Sequence, residues 1–274
     1  MTRLAALEER TPPYRVVFTM LLLAPLSVTR YREDLRRLSG RDALVTVVTG
    51  VALAAHFAAW FESLEWTSVA ASVTLVQSQP LFVAVGAALL LDERITARMI
   101  LGILVAVAGA AFMSLGGLLS GAALEGPRPL YGNALAVIGA VMAAGYVLAG
   151  RSLRQRVALV PYVTVVYTVC AVALLTVALV EGETVALTAY PPAEWLLFLG
   201  MAVGPGIFGH TVINWALKYV ESSVVSVTLL GEPVGSTLLA LALLAEVPDA
   251  FTVAGGAVVL VGIYITATGR PGGP

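Results

Sequence analysis

The sequence predicts an all-α polytopic membrane bundle of about nine transmembrane helices, arranged as two inverted repeats. Three observations carry this. Hydrophobic residues make up 59% of the 274 positions and charged residues only 12%, against about a quarter charged in an ordinary soluble domain, and mean hydropathy is +0.91. The apolar residues fall in continuous runs of helix-span length rather than in short alternating segments. The chain also resembles itself at a fixed offset. So little charge cannot cover a water-soluble protein of this size, which excludes a cytosolic enzyme, a disordered regulator and a secreted disulfide scaffold. A net charge of -1 supplies no basic patch for nucleic acid. Cys170 stands alone, so no intrachain disulfide forms.

Taken in order, the spans are Tyr14–Thr29, Ala43–Phe61, Val69–Leu91, Met99–Leu119, Leu130–Gly150, Pro161–Val180, Trp195–Leu217, Val224–Ala245 and Thr252–Thr268. Each approaches the roughly 20 apolar residues that a helix needs to cross the hydrocarbon. The first is short and holds Pro25. It has the length of a signal-peptide core, but Glu8-Glu9-Arg10 is no simple basic leader and no small-residue cleavage site follows before Arg30.

Orientation follows from Lys and Arg, which are retained on the cytoplasmic side. The loops after the odd-numbered spans hold Arg30, Arg32, Arg36, Arg37, Arg41, Arg94, Arg98, Arg151, Arg154, Arg156, Lys218 and Arg270, leaving only Arg3, Arg10, Arg15 and Arg128 opposite. The C-terminus is therefore expected in the cytoplasm. No Lys or Arg is expected mid-span. Tyr and Trp near span ends (Tyr14, Trp66, Tyr131, Trp195, Tyr219) fit an interfacial belt.

At an offset of 153, Leu64 meets Leu217, Trp66 meets Tyr219, Pro80 meets Pro233, Glu93 meets Glu246, Gly102 meets Gly255 and Gly109 meets Gly262. Glu93 falls on the basic side and Glu246 opposite, so the copies are inverted. The predicted division is 1–122 for the first repeat and 123–274 for the second. Inverted repeats are a common architecture of secondary transporters, with the substrate site near the midplane. The second copy has five spans and the first has four. Leu130–Gly150 lacks a partner, so the expectation is that the reading frame upstream of Met1 encodes about 20 further apolar residues preceded by a basic residue or two.

The run Asn214-Trp215-Ala216-Leu217-Lys218-Tyr219, then Gly231-Glu232-Pro233-Val234 and Glu246, with the first-half echo Gln79-Pro80 and Asp92-Glu93-Arg94, resembles the drug/metabolite transporter superfamily, EamA-like branch. The resemblance runs from about Tyr14 to Gly269. It implies ten helices in two inverted five-helix repeats, here without the first helix. It also implies a permease or exporter of small organic metabolites such as amino acids, working by alternating access around a midplane cavity in the plasma membrane.

Polar groups inside spans are costly and default to function. All four Asp fall in loops, and of 13 Glu only Glu232 lies deep in a span, about ten residues from either end. Glu232 is either a proton-responsive or substrate-contacting acid, or a protonated group bonding a neighbouring backbone beside a kink at Pro233. Its repeat partner is Gln79. His210 and Asn214 are four apart and share a helix face, just beyond Gly204-Pro205-Gly206, which is expected to break or bend that helix. His56 and Trp60 share a face of the second span, with Trp60 also fitting the aromatic belt. Tyr146 and Tyr167 are candidates for stacking on substrate or for plain packing. The expected substrate-binding set is thus Gln79, His210, Asn214, Glu232, His56, Trp60 and Tyr146.

No catalytic residue, metal or cofactor is expected. The single lysine, Lys218, follows Leu217 and forms no phosphate-binding loop. No span holds the Gly-x-Ser or Asp pairs of an intramembrane protease. The expected partners are a small-molecule substrate and the lipid bilayer, not nucleic acid, with a homodimer left open. The rival to a transporter is a truncated or purely structural membrane protein.

Overall fold

The computed structural model describes residues 12–119, 127–180, 182, 191–245 and 247–269. Glu246, Arg270 and the first eleven residues, with Arg3 and Arg10, lie outside the described residues. The described residues are mostly helical, and among them there is no strand. The helices are α1 (Pro12–Arg30), α2 (Arg32–Arg36), α3 (Gly40–Trp66), α4 (Val69–Val76), α5 (Gln79–Leu90), α6 (Ala97–Leu119), α7 (Pro129–Arg154) and α8 (Leu159–Val180). Next come α9 (Pro192–Met201), a π-helical segment (Ala202–Thr211) and α10 (Val212–Ala216). Then α11 (Ser222–Thr228), a 3-10 turn (Leu229–Gly231), α12 (Glu232–Leu244) and α13 (Ala250–Thr268) complete the chain.

Every expected span carries helix. Among the described residues six stretches are long and apolar enough to cross a membrane: Gly40–Trp66, Ala71–Leu90, Pro129–Arg154, Leu159–Val180, Ala193–Ala216 and Ala250–Thr268. Large apolar side chains stand outward along them, as lipid-facing surfaces require: Leu44, Leu89, Leu196 and Val253 are all more than half exposed.

Two spans expected to be continuous are broken. Val69–Leu91 divides at Gln77-Ser78 into α4 and α5, and the eighth span divides at Leu229–Gly231 into α11 and α12. Pro80 and Pro233 therefore do not kink a helix interior. Each sits in the first turn of a new helix, where its missing N–H removes no bond.

The chain forms two compact units. One comprises 12–58 with Ala149–Tyr219, the other Ala59–Leu148 with 220–269. Each unit draws on both sequence halves, and α3 and α7 each contribute to both.

In the second unit the repeat is written into the backbone. Helices α4, α5 and α6 start at Val69, Gln79 and Ala97; α11, α12 and α13 start at Ser222, Glu232 and Ala250, each 153 later. Left-handed residues recur at the same offset, at Asp92 (φ 54) and Ala245 (φ 56). So do the caps. Thr96 Oγ1 accepts from the Met99 N–H at 3.1 Å, and Asp249 Oδ1 from the Thr252 N–H at 2.8 Å.

The equivalent helices α6 and α13 pack directly on each other. A Cβ on Gly109 would fall 2.7 Å from Val259 N, and one on Gly255 2.7 Å from Gly109 O and Met113 N. Gly102 faces Gly262 and Thr266 at the other end of the pair. As residue numbers rise along α6 they fall along α13, so the two helices run antiparallel. Copies related by direct repetition would run parallel; antiparallel copies related by a two-fold axis are inverted. The glycines let the backbones meet, the small-residue mode of membrane helix packing. Ala106 and Val259, themselves an offset pair, are both fully buried at the centre.

Candidate functional site

In the first unit the helix pairs are less alike. α3 is an unbroken α-helix. Its repeat counterpart is α9, the π-helical segment and α10 in succession. Gly204-Pro205-Gly206, expected to break or bend this helix, does not break it. It widens it. Pro205 cannot donate, and the turn opens until Thr211 Oγ1 reaches back five residues to Gly206 O at 3.0 Å. α1 closes on the widened turn. A Cβ on Gly206 would lie 2.9 Å from Thr19 Cγ2, and the Thr19 hydroxyl lies 2.8 Å from Arg15 O and 3.2 Å from Ala202 O.

Beside this turn is a small pocket lined by Arg15, Val16, Thr19, Leu53, Phe57, Tyr167, Gly206 and His210. Its free volume is about 20 Å³, room for about one water. The Arg15 guanidinium carbon stands 4.5 Å above the Phe57 ring, within cation–π range. His210 meets the same ring edge-on, with centroids 5.6 Å apart and planes at 86°. His56 lies 5.1 Å from Phe57 between centroids. Tyr167 Oη and Thr211 Oγ1 are 3.1 Å apart. Among the described residues no group of three His, Cys, Asp or Glu side chains is arranged to hold a metal ion.

Phe57 and His210 are separated by the repeat offset of 153, and they touch. Two residues exchanged by a two-fold axis can touch each other only beside that axis. The pocket therefore lies on the pseudo-dyad of its unit. Leu53 and Gly206, also in its lining, are a second such pair. Where the copies meet, their chemistry differs: Phe faces His, and Leu faces Gly.

Of the expected site residues, this unit brings His56 and His210 to one ring. Asn214 shares the His210 face as expected, but it is a joint. It is fully buried, its Nδ2 donates to His210 O at 2.8 Å, and its own carbonyl accepts from Arg154 Nε at 3.0 Å. Arg154 Nη1 also donates to Val157 O, tying α10 to the end of α7.

The remaining candidates belong to the other unit. Gln79 and Glu232 do not lie in mid-helix; each is the first residue of a new helix after a break, and the Glu232 side chain is exposed. A carboxylate there complements the helix N-terminus. Tyr146 is buried, and Trp60 is half-buried and stacked on Phe61 at 5.1 Å.

Sequence reasoning missed Arg15 and Phe57. Arg15, the second residue of the first expected span and counted by side with the outer charges, stands over Phe57, nine residues inside the end of α3. The signal that could have found the pocket was the offset itself, which pairs Phe57 with His210.

A family model described as EamA-like transporter family matches residues 6–115 and 130–268. The chain belongs to the EamA-like transporter family. Two Archaeoglobus fulgidus proteins, each named only as an uncharacterized transporter, are similar to it. One is 23% identical over 265 residues, covering 95% of this chain and 89% of its own. The other is 33% identical over 200 residues, covering 72% and 67%. A crystal structure of a protein at 23% identity superposes with a TM-score of 0.76 over 96% of this chain and 90% of that one, showing a shared fold. This EamA-like protein is thus a multi-pass membrane protein of a transporter family.

Proposed function

We propose that the protein is a secondary transporter of small organic metabolites that carry a carboxylate, amino acids being the type, and that it works by alternating access around the pocket on the pseudo-dyad, which widens from its present volume of about 20 Å³ to admit substrate. The observation that carries this reading is the Phe57–His210 pair with Arg15 over its ring. In an inverted repeat the axis relating the copies lies in the membrane plane, so residues touching across it sit near mid-depth. Arg15 stands three residues from the start of α1, and its guanidinium reaches inward from there to the Phe57 ring; a charge turned into the bundle marks a substrate or ion path. Its planar donors match a carboxylate in bidentate fashion, while Phe57, Leu53 and Val16 suit an apolar body. His210 and His56 add polar edges. In the other unit, Gln79 and Glu232, which open helices after broken spans, stay proposed as substrate contacts in their own right, because half-helix starts serve this role in transporters, and so do Trp60 and Tyr146. Asn214 acts by fixing His210.

The arginine distribution supports a cytoplasmic C-terminus, and the plasma membrane is the location proposed with this function. The test is uptake of a labelled amino-acid pool by proteoliposomes. Arg15→Gln should lower uptake about ten- to hundredfold, the scale of a lost hydrogen bond to a charged group, with Arg15→Lys between the two and melting temperature unchanged. Uptake at the unsubstituted rate in Arg15→Gln would remove Arg15 from the substrate path.

A further inference from the structure

At the other end of α1 lies a second cavity, lined by none of the residues of the pocket on the pseudo-dyad. Thr29, Arg30, Arg32, Glu33, Arg36 and Arg37 line an open basin of about 540 Å³. Arg30 is the last residue of α1, and Arg32 and Arg36 lie one turn apart on α2. Arg37 is neutralised by Glu33 at 2.7 Å, and the Thr29 hydroxyl is taken up by Pro25 O. Arg30, Arg32 and Arg36 are in no ion pair among the described residues. Like charges one turn apart repel, and retention of charge on one membrane side requires only their number, not their convergence on one basin.

We propose that this basin binds the phosphate of an anionic phospholipid. Guanidinium groups match phosphate oxygens in bidentate pairs. The depth fits, since the 19 residues of α1 span about 28 Å, close to the hydrocarbon thickness, which sets Arg30 at headgroup level. Leu22, Leu26 and Val28 of α1 and Leu44, Val48 and Val51 of α3, in the same unit, are exposed, apolar surface that suits acyl chains and that a free phosphate ion would not need. A zwitterionic headgroup brings its own cation against three arginines, so the site selects net negative charge.

The test is native mass spectrometry of the full chain released from mixed phosphatidylglycerol and phosphatidylcholine micelles. The unsubstituted protein should retain phosphatidylglycerol in preference. Each arginine removed should lower that retention about fivefold, so Arg32→Gln/Arg36→Gln loses about 25-fold. Arg41→Gln/Arg94→Gln removes equal charge outside the basin and should change nothing. Should the double variant fail to insert, Arg36→Gln alone still carries the fivefold expectation. Equal loss in both double variants, or unchanged retention in the basin variants, overturns the site. Displacement of the lipid by excess inorganic phosphate would make it a free-anion site and overturn the lipid assignment.

Discussion

The two units solve the same symmetry problem in opposite ways. In one, α6 and α13 meet across their two-fold with glycine against glycine, and the copies are so alike that helix starts, caps and left-handed residues recur in register. In the other, the residues that meet are Phe57 and His210, and a straight helix stands against one opened by a π-turn. Likeness permits backbone contact and a stiff pair. Unlikeness leaves a pocket with a charged, an aromatic and a polar wall. A duplicated fold can thus keep one axis contact for rigidity and free the other for chemistry.

The comparison breaks most sharply at the stiff pair. Gly262→Ala places a methyl against the backbone and Cβ of Ala106 and should destabilise the protein by about 2–3 kcal/mol. Gly235→Ala on α12, with nothing within 4 Å, should stabilise by about 0.5–1 kcal/mol. Thermal unfolding in detergent reads both, and equal shifts would mean that α6 and α13 are not in backbone contact.

His210→Phe makes the other pair symmetric. Uptake by proteoliposomes should fall about tenfold, the worth of one hydrogen bond to a charged group, with the melting temperature held. Uptake lost only together with folding would assign His210 to packing.

Ala245 holds a left-handed conformation that costs a side chain about 1 kcal/mol. Ala245→Gly should raise stability by about that amount, and Asp92→Gly by less, because Asp tolerates this region better. A fall in stability for Ala245→Gly would contradict the left-handed turn.

The smallest effect is a pH difference between the two equivalent caps. Hydrogen bonds from Thr252 hold the Asp249 carboxyl below its ordinary value of 3.8. A depressed folded pKa contributes stability above the unfolded value, and that contribution is lost as pH falls through the folded value. Thr96, the equivalent cap on α6, does not titrate. The stability advantage of the natural protein over Asp249→Ser should therefore shrink as pH drops below about 4, while Thr96→Ser shows no such trend. A pH-independent difference at position 249 would show that the carboxylate is not the cap.

The helices, their approximate ends and the repeat were legible because continuous apolar runs and a gapless offset survive without any knowledge of contacts. The breaks at Gln77-Ser78 and Leu229–Gly231 were not, since both lie inside apolar windows, and Pro233 read as a kink rather than as a helix start. His210 and Asn214 were placed on one face by spacing alone, but nothing local shows that Asn214 turns its carbonyl to Arg154. Arg15 was misassigned because a charge near a span end is counted by side, and only the packing of α1 against α3 shows that it points inward. The pairing of Phe57 with His210 was present in the offset. Its meaning needed the observation that the two rings touch.

The pairing of α6 with α13 also sets a timetable. About 130 residues separate the end of one helix from the start of the other. At about 5–20 residues per second of synthesis, α6 waits roughly 7–25 s in the bilayer before its partner leaves the ribosome. During that interval its glycine stripe, shaped for a close antiparallel neighbour, is on offer to other nascent helices. The insertion machinery must shelter that face, and delaying translation upstream of α13 would lengthen the window in which the wrong partner can take it.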